Sequence, residues 1–454
     1  MLFQSQGFIL LFLPATLAAY YVLAERPWAR DIALIVASLI FYGWWDPRFI
    51  PLLVGQTVVT WLIAEAYLRR PSLFWIVLGI AANLAVLAFF KYATFAAGSF
   101  VGIVGLPSPE FSIVLPLGIS FYTFELISYL VDLRRGTGHH YSLRKFSLFI
   151  FLFPHLIAGP IIRHNEIIPQ FALSPLRPGF AERFSQGLAF FVIGCVKKVF
   201  LADPLAKIVD PLFSGHQTLA LSDAWLGAFA FTFQLYLDFS AYSEMAIGLG
   251  LMLGFRFPDN FNVPYRATSI REFWRRWHMT LSRWLRDYLY IPLGGSREGM
   301  AVYLKATLIT MGLCGLWHGA AWTFVVWGLL HGLALIVCHL WEASGRRLSA
   351  PAGWAATMLF VVLGWVLFRA EDFTAAGQMF AGMAGFNGLI GNTQWPLILA
   401  AAAAVSLFGP STREFVEERL QPLPAYGAAF ALVAVLVVLE VGTGQPQTFI
   451  YFQF

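Results

Sequence analysis

The sequence predicts an all-α protein that crosses a membrane repeatedly, with about 11–13 membrane segments. The first observation is composition: hydrophobic residues make up 59% of the 454 residues, and charged residues only 12%. The second is the length of the apolar stretches, several of which approach or reach the roughly 17–25 residues that a helix needs to cross a hydrocarbon core. Together these observations exclude an ordinary soluble domain.

The apolar stretches supply the candidate membrane segments. In chain order they are residues 8–23, 32–45, 51–67, 73–90, 113–131, 146–162, 188–201, 224–253, 303–317, 320–341, 354–368, 395–408 and 426–441. Some are short for a straight crossing, and one or two are expected to be re-entrant. The exact number of spans therefore stays open.

The basic residues between these segments predict the orientation of the chain. Basic groups lie at residues 26–30, 69–70, 134–145, 346–347 and 411–420. Because basic loops stay on the cytoplasmic side, both termini are expected on the outer face. The N-terminus lacks the basic region of a cleavable signal, so residues 8–23 are expected to be a retained span. The net charge of +5 fits such loops and gives no reason to invoke nucleic acid.

The chain is expected to form one membrane domain over residues 1–454, with an aromatic tail at 446–454. No fixed-period repeat and no Gly/Ser linker indicates a second folded domain. Cys195, Cys314 and Cys338 lie in apolar segments without metal-ligand spacing. Neither a disulfide framework nor a metal site is therefore expected.

The longest hydrophilic region, 256–300, contains a segment that sorts by face when read as one helix over 269–290. An apolar stripe consists of Trp274, Trp277, Leu281, Trp284 and Tyr288. The polar face consists of Arg271, Arg275, His278, Ser282 and Arg286, with Arg276, Thr280, Arg283 and Asp287 beside it. The pattern is typical of a helix lying on membrane lipid. It is equally compatible with arginines that bind a phosphate-bearing substrate, beside a histidine whose pKa they lower.

His318 is the second candidate, because no Asp, Glu, Lys or Arg occurs from residue 306 to 341. An ionisable side chain in such a stretch is costly to bury, so it is often functional. Lys305 precedes His318 by 13 residues, roughly 20 Å of helix, which reaches deep into a core about 30 Å thick. Gly315 and Gly319 flank it, which predicts a hairpin with His318 at its apex. The alternative is a core histidine hydrogen-bonded between helices, as expected for His331 and His339.

A polar island interrupts the apolar stretch 224–253. It contains Asp238, Ser240, Tyr242 and Glu244, whose polar groups need partners when buried. These residues could line a water-filled passage or orient a histidine. They could also only hold helices together.

Several motifs in this chain resemble those of the membrane-bound O-acyltransferases, within the bacterial alginate O-acetyltransferase branch. The matching stretches are Phe41-Tyr42-Gly43-Trp44-Trp45, Leu117-Gly118-Ile119-Ser120-Phe121-Tyr122-Thr123-Phe124, Phe153-Pro154-His155-Leu156-Ile157-Ala158-Gly159-Pro160, Asp238-Phe239-Ser240, Asn260-Phe261-Asn262-Val263-Pro264-Tyr265, residues 273–295 and Gly315-Leu316-Trp317-His318-Gly319. The resemblance implies that His318 is the catalytic histidine in a central tunnel. His278 matches a second motif position, where distant relatives usually have Asn or Asp.

The resemblance and the face pattern together give the candidate site. Its catalytic residues are His318, His278 and Tyr451. Its substrate or tunnel residues are Asp238, Ser240, Tyr242, Asn260, Asn262, Trp274, Arg275, Trp277, Arg283, Asp287 and Trp317.

The resemblance also implies an activity. Members take an acyl group from a cytoplasmic donor, here expected to be acetyl-CoA acting as substrate with no bound cofactor, and pass it across the bacterial inner membrane. A periplasmic partner of the SGNH-hydrolase fold then completes O-acetylation of an envelope polysaccharide such as alginate. The alternative is a polytopic transporter or flippase without chemistry, which also explains polar groups within the membrane.

The last six residues, Phe449-Ile450-Tyr451-Phe452-Gln453-Phe454, allow two interpretations. They are typical of an aromatic belt at the outer interface. They also resemble the terminal motif of envelope acylation systems, which implies that the Tyr451 hydroxyl carries the acyl group to the partner.

Overall fold

The computed structural model describes residues 1–105, 113–214, 218–391, 394–421, 423–443 and 447–450. Throughout these ranges the regular structure is helical, without a β-strand. The prediction of an all-α protein is therefore confirmed. Tyr451 lies outside the described residues.

The helices follow one another along the whole chain. Up to residue 196 they are α1 (Leu13–Val22), α2 (Pro27–Gly43), α3 (Ile50–Arg69), α4 (Leu73–Leu87), α5 (Ala93–Val104), α6 (Ile119–Arg134), α7 (Leu143–Phe151), α8 (Phe153–Leu156), α9 (His164–Ile167) and α10 (Phe180–Val196). Beyond it they are α11 (Asp203–Leu212), α12 (Leu221–Met252), α13 (Ile270–Arg276), α14 (Met279–Leu285), α15 (Met300–His318), α16 (Trp322–Ala343), α17 (Ala350–Arg369), α18 (Phe373–Met383), α19 (Leu397–Phe408), α20 (Thr412–Glu414) and α21 (Pro424–Thr443). Short π-helical and 3-10 turns extend several of them.

Six helical segments of the described chain are long and apolar enough to cross a membrane. They are Pro47–Arg69, Leu73–Val104, Met300–His318, Trp322–Ala343, Ala350–Arg369 and Pro424–Thr443. Two shorter apolar helices are Phe8–Val22 and Leu397–Phe408. The protein is therefore a multi-pass membrane protein, as predicted, while the number of 11–13 segments stays a prediction.

Some candidate segments differ in form from straight spans. The stretch 146–162 is broken, because α7 ends at Phe151 and α8 is one short turn that begins at Phe153. The stretch 224–253 belongs to α12, whose 32 residues make roughly 48 Å of helix, longer than a hydrocarbon core is thick. This helix is buried on nearly all sides, including the polar residues Asp238, Ser240, Tyr242 and Glu244.

The described chain divides into two compact units. The first consists of Met1–Val192, Ser243–Pro258 and Phe430–Pro446, and the second of Ile193–Tyr242, Asp259–Ala429 and Gln447–Phe454. Each is assembled from separate stretches of sequence, and the prediction of a single domain stays a prediction. The candidate site residues belong to the second unit.

A hairpin of α15 and α16 forms part of the second unit. Helix α15 ends at His318 and α16 begins at Trp322, so His318 lies at the apex, as predicted. Two glycines allow the close packing of the helices. A Cβ atom on Gly315 would overlap the carbonyl oxygen of Phe324, and one on Gly328 would overlap that of Met311.

The prediction of one continuous helix over 269–290 is wrong. Helix α13 ends at Arg276, α14 starts at Met279, and a π-helical turn follows at Arg286–Tyr290. Between the two helices His278 has φ 41° and ψ 52°, a left-handed conformation that costs a non-glycine residue about 1–3 kcal/mol. Backbone hydrogen bonds to the loop at Asn260 hold it, since Met279 N–H donates to the Asn260 carbonyl at 2.9 Å. The break turns His278 away from the arginine face and buries it completely.

Candidate active site

Two buried histidines lie together in the second unit. The ring centroids of His278 and His318 are 6.3 Å apart. His278 is 0% exposed and His318 3% exposed. Trp317 lies beside both, with ring centroids 6.0 Å from His278 and 5.0 Å from His318. The fold thus brings together two histidines that are 40 residues apart in sequence.

The hydrogen bonds of His278 fix its tautomer. Its Nδ1 lies 3.0 Å from the amide oxygen Oδ1 of Asn260, and the hydroxyl of Thr280 donates to the same oxygen at 2.8 Å. Because an amide oxygen only accepts, Nδ1 carries the proton and Nε2 keeps its lone pair. Asn260 is therefore a positioning residue for His278.

The pKa of His278 is lowered to about 3, and the cause is burial. The prediction that neighbouring arginines lower this pKa had the right direction and the wrong cause, because the backbone break separates His278 from the arginine face. A neutral imidazole with this pKa accepts a hydrogen bond at any physiological pH and is a weak proton acceptor.

His318 lies in an aromatic surrounding at the C-terminal end of α15. The ring centroids of Trp327 and Phe368 are each 5.3 Å from its own, and both rings meet it edge to face. The imidazole is thus enclosed by aromatic rings at the end of α15 and is 3% exposed.

A cavity of about 540 Å³ lies along the same helices. Its walls come from α13, α14, the turn after α14, α15 and α16, and its lining residues are Arg271, Trp274, Arg275, Ser282, Leu285, Arg286, Tyr290, Ser296, Tyr303, Thr307, Thr310, Met311, Leu335 and His339. The volume is typical of small-molecule sites. Apolar side chains with a few convergent polar groups suit an organic molecule with charged ends.

Three arginines give one wall of this cavity its positive charge. Arg271 forms an ion pair with Glu342, and Arg286 pairs with Asp287, whose Oδ1 is 2.6 Å from its Nε. Arg275 is exposed and has no ion-pair partner among the described residues. A guanidinium in this state is well suited to bind phosphate oxygens.

The packing of 269–290 tests one of its two interpretations, the helix that lies on membrane lipid, and leaves the phosphate-binding one a prediction. Arg271, Arg275, Ser282 and Arg286 do share one surface, but it faces the cavity. The apolar stripe is packed within the protein: Trp277 is 1% exposed and Leu281 0%. The interpretation as a helix whose apolar face meets acyl chains is therefore wrong for this stripe.

The other candidate residues either line the cavity or pack within the protein away from it. Trp274 and Arg275 line the cavity, whereas Trp277 packs against Trp365 at 4.9 Å between ring centroids. Asp238 forms an ion pair with Lys198, and the ring of Tyr242 stacks on Phe449 at 4.6 Å.

Four candidates lie outside these groups. The Ser240 hydroxyl donates within its own helix, to the carbonyl oxygen of Leu237 at 3.4 Å. Asn262 is exposed, and Arg283 is half-buried without lining the cavity. Asp287 pairs with Arg286.

Sequence reasoning missed several residues that the fold brings to these sites. Tyr303, Thr307 and Thr310 line the cavity, and their signal is helical spacing on α15. His339, which was expected to be a core histidine, is half-buried and lines the cavity from α16. Lys198 is the most informative omission, because it lies in the candidate span 188–201. An ionisable residue in such a stretch predicts a buried partner.

The chain matches a known family over most of its length. The model of the membrane-bound O-acyltransferase family, MBOAT, matches residues 57–370. The probable alginate O-acetylase AlgI of Pseudomonas aeruginosa is 46% identical over 398 residues, which is 85% of this chain and 75% of the relative. The peptidoglycan O-acetyltransferase of Helicobacter pylori is 38% identical over 425 residues, 86% of this chain and 81% of the relative.

A more distant relative has a different acyl group in its name. The teichoic acid D-alanyltransferase of Streptococcus thermophilus is 28% identical over 245 residues, 51% of this chain and 59% of the relative. These matches favour the enzyme over the transporter or flippase. The chain belongs to the membrane-bound O-acyltransferase family and is a multi-pass membrane enzyme that transfers acyl groups.

Proposed function

We propose that this protein takes an acetyl group from cytoplasmic acetyl-CoA and passes it across the bacterial inner membrane for O-acetylation of an envelope polysaccharide such as alginate. The names of the relatives support the acetyl group and the polymer, since those that cover most of this chain are an alginate O-acetylase and a peptidoglycan O-acetyltransferase. The loop charges support periplasmic termini.

The observation that carries the proposal is the arginine-lined cavity beside the helix that ends in His318. Thr307, Thr310 and Met311 belong to α15 and line the cavity, and His318 is the last residue of α15. The rise from Thr310 to His318 is roughly 12 Å. The phosphates of acetyl-CoA would bind the arginines, and its long, thin arm would bring the thioester toward His318.

His318 acts as the general base in this proposal. An attacking hydroxyl gives its proton to His318 as its oxygen bonds to the acetyl carbonyl carbon. The carbon–sulfur bond breaks, and the CoA thiolate leaves and takes the proton back from His318. The products are an acetyl ester and CoA thiol, and the histidine returns to its neutral form.

His278 has a different part in this reaction. Asn260 and Thr280 hold its ring so that Nδ1 is the donor and Nε2 the acceptor. A buried neutral imidazole is suited to orient the attacking hydroxyl by accepting its hydrogen bond, while His318 removes the proton.

Tyr451 is the proposed hydroxyl. Its phenol has an ordinary pKa near 10 and therefore needs a base to attack a thioester. The acetylated tyrosine would then offer the group to a periplasmic partner of the SGNH-hydrolase fold, which completes transfer to the polysaccharide.

The cavity is tested by binding of acetyl-CoA to purified protein. Arg275→Ala removes the arginine without an ion-pair partner among the described residues and is expected to weaken binding about tenfold to 100-fold, because charge-assisted hydrogen bonds to phosphate contribute about 1.5–3 kcal/mol. Arg297→Ala, in the nearby loop and outside the cavity lining, is the matched control. If both variants bind acetyl-CoA as tightly as wild type, the proposal that acetyl-CoA binds in this cavity is wrong.

The carrier is tested by Tyr451→Phe, which keeps the ring and removes only the hydroxyl. We expect complete loss of polymer acetylation, and an acetyl adduct on the C-terminal peptide of wild type by mass spectrometry after incubation with labelled acetyl-CoA. Normal acetylation in Tyr451→Phe would retire the carrier and leave direct transfer to the partner.

A further inference from the structure

A buried ionic cluster lies in the second unit apart from the histidines and the cavity. The ammonium of Lys198 is 2.8 Å from Asp203 Oδ1 and 2.8 Å from Asp238 Oδ1. Lys198 is 3% exposed and Asp238 2%. Two carboxylates on one buried ammonium are costly to desolvate unless their remaining oxygens have donors.

The C-terminal tail supplies the remaining partners of this cluster. The backbone N–H of Ile450 donates to Asp238 Oδ2 at 2.8 Å, and Lys198 donates to the carbonyl oxygen of Thr448 at 3.3 Å. Between these two contacts Phe449 is 1% exposed and stacks on Tyr242. The tail is thus bound through its backbone and through one aromatic ring.

The hydrogen-bonding capacity of the cluster shows that the tail completes it. A lysine ammonium has three donors, and the Lys198 nitrogen has three oxygen neighbours: the ion-pair oxygens of Asp203 and Asp238 and the carbonyl oxygen of Thr448. One oxygen of Asp238 belongs to the ion pair with Lys198, and the other accepts from Ile450. Without the tail, one buried donor and one buried carboxylate oxygen would lose their partners, which costs free energy.

We propose that Lys198 and Asp238 form a clamp that binds the backbone of Thr448 and Ile450 and thereby sets the position of the next residue, Tyr451. They are positioning residues. Binding of the tail by the clamp is independent of the function proposed above, whereas its use in acetyl transfer rests on that function.

The surroundings of the clamp give it a consequence for the reaction. Phe239 follows Asp238 in α12, and its ring centroid is 4.7 Å from that of His278 and 5.7 Å from that of Phe449. One aromatic ring therefore separates the bound tail from the candidate catalytic pair. The described part of the tail that precedes Tyr451 is thus held one aromatic ring away from His278.

Binding through the backbone predicts which substitutions matter. The clamp binds the backbone carbonyl of residue 448 and the backbone N–H of residue 450. Substituting the side chain at either position, other than by proline, leaves both backbone groups in place. Proline at 450 removes the N–H and leaves the buried Lys198–Asp238 pair intact. Ile450→Pro is therefore the test variant, and Ile450→Val, which keeps the N–H and most of the side chain, is its matched control.

The position of the tail is measured by thiol labelling of purified full-length protein in a Cys338→Ala background. The Ile450→Cys thiol is expected to react with a maleimide at least tenfold more slowly than the Thr448→Cys thiol, because Ile450 is buried and Thr448 is exposed. Adding Asp238→Asn should raise the labelling rate at 450 at least tenfold. Equal rates at 448 and 450, or no response to Asp238→Asn, would overturn the clamp.

The use of the clamp in transfer is measured by polymer acetylation. Ile450→Pro is expected to lose at least tenfold, while Ile450→Val stays close to wild type and both bind acetyl-CoA alike. Normal acetylation in Ile450→Pro would overturn the positioning role, even if Asp238→Asn fails to fold. If Tyr451→Phe acetylates the polymer normally while labelling at 450 stays slower than at 448, the carrier role of Tyr451 is refuted and the clamp is retained. If Tyr451→Phe loses acetylation while labelling at 448 and 450 is equal, the clamp is refuted and the carrier role is retained.

Discussion

The buried histidines of the first unit differ from those of the second in their partners. In the first unit His155 Nδ1 lies 3.1 Å from Glu125 and His164 Nε2 lies 3.1 Å from Asp132. In the second, His278 faces the amide of Asn260, and the ring neighbours of His318 are aromatic. The first pair therefore faces charged acceptors, whereas the amide oxygen beside His278 fixes the tautomer of its ring.

This difference distinguishes these four histidines, which burial does not. His155, His164, His278 and His318 are all at most 3% exposed. His164 also has Tyr141 on its other nitrogen, with the hydroxyl 3.2 Å from Nδ1, so both ring nitrogens are engaged. We therefore assign His155 and His164 to the stability of the first unit and keep His278 and His318 for chemistry.

The largest expected effect is on His318. His318→Ala should lower polymer acetylation about 100-fold or more, as for loss of a general base, while the protein still accumulates in the membrane. His155→Ala should do the opposite, because it leaves Glu125 buried without its partner: accumulation falls, and activity per folded protein is retained. Polymer acetylation and the amount of protein in the membrane are measured for both variants. Near-normal acetylation in His318→Ala would contradict the assignment of His318 to chemistry.

A substitution that gives the second unit the chemistry of the first tests the comparison directly. Asn260→Asp places a carboxylate at Nδ1 of His278, which raises the pKa of that imidazole. The charged form then persists to higher pH, so acetylation should fall as pH is lowered through the raised pKa, by about tenfold at its acidic end. Wild type should lack this dependence on His278, because its pKa of about 3 lies below the working range. Matching pH–rate profiles in the two proteins would contradict the role of Asn260.

The sequence predicted the hairpin at His318 and missed the break at His278, for a physical reason. The hairpin depends on local features: no charges from 306 to 341, and glycine where the helices approach closely. The break depends on Asn260, 18 residues earlier, whose contacts hold a left-handed backbone that no local pattern indicates. Face patterns over 269–290 therefore found the arginine surface and misplaced the histidine.

The tail shows the same limit. Asp238 and Tyr242 were found as polar residues in an apolar stretch, but their partners, Lys198 and Phe449, are 40 or more residues away in sequence. A polar island in an apolar stretch predicts that its residues have buried partners. Which residues those partners are depends on the tertiary structure and cannot be deduced from the local sequence.

The smallest expected effect concerns Asp203, a carboxylate of the second unit that, like those beside the histidines of the first, contacts a basic side chain. Burial raises the pKa of Asp203 to about 6, even though Lys198 lowers it. Between about pH 4 and pH 6 the folded protein keeps a proton that the unfolded chain has lost, so the stability from this group is present below about pH 4 and is lost as pH rises through about 6. Asp203→Asn should therefore shrink the difference in Tm between about pH 5 and about pH 7 in detergent solution. Asp210→Asn is the matched control, because Asp210 lies on the same helix, exposed, and pairs with Arg369. If the Tm of Asp203→Asn depends on pH as that of wild type does, titration of Asp203 does not contribute to stability. The charge on Lys198 would then be balanced by Asp238 and the tail.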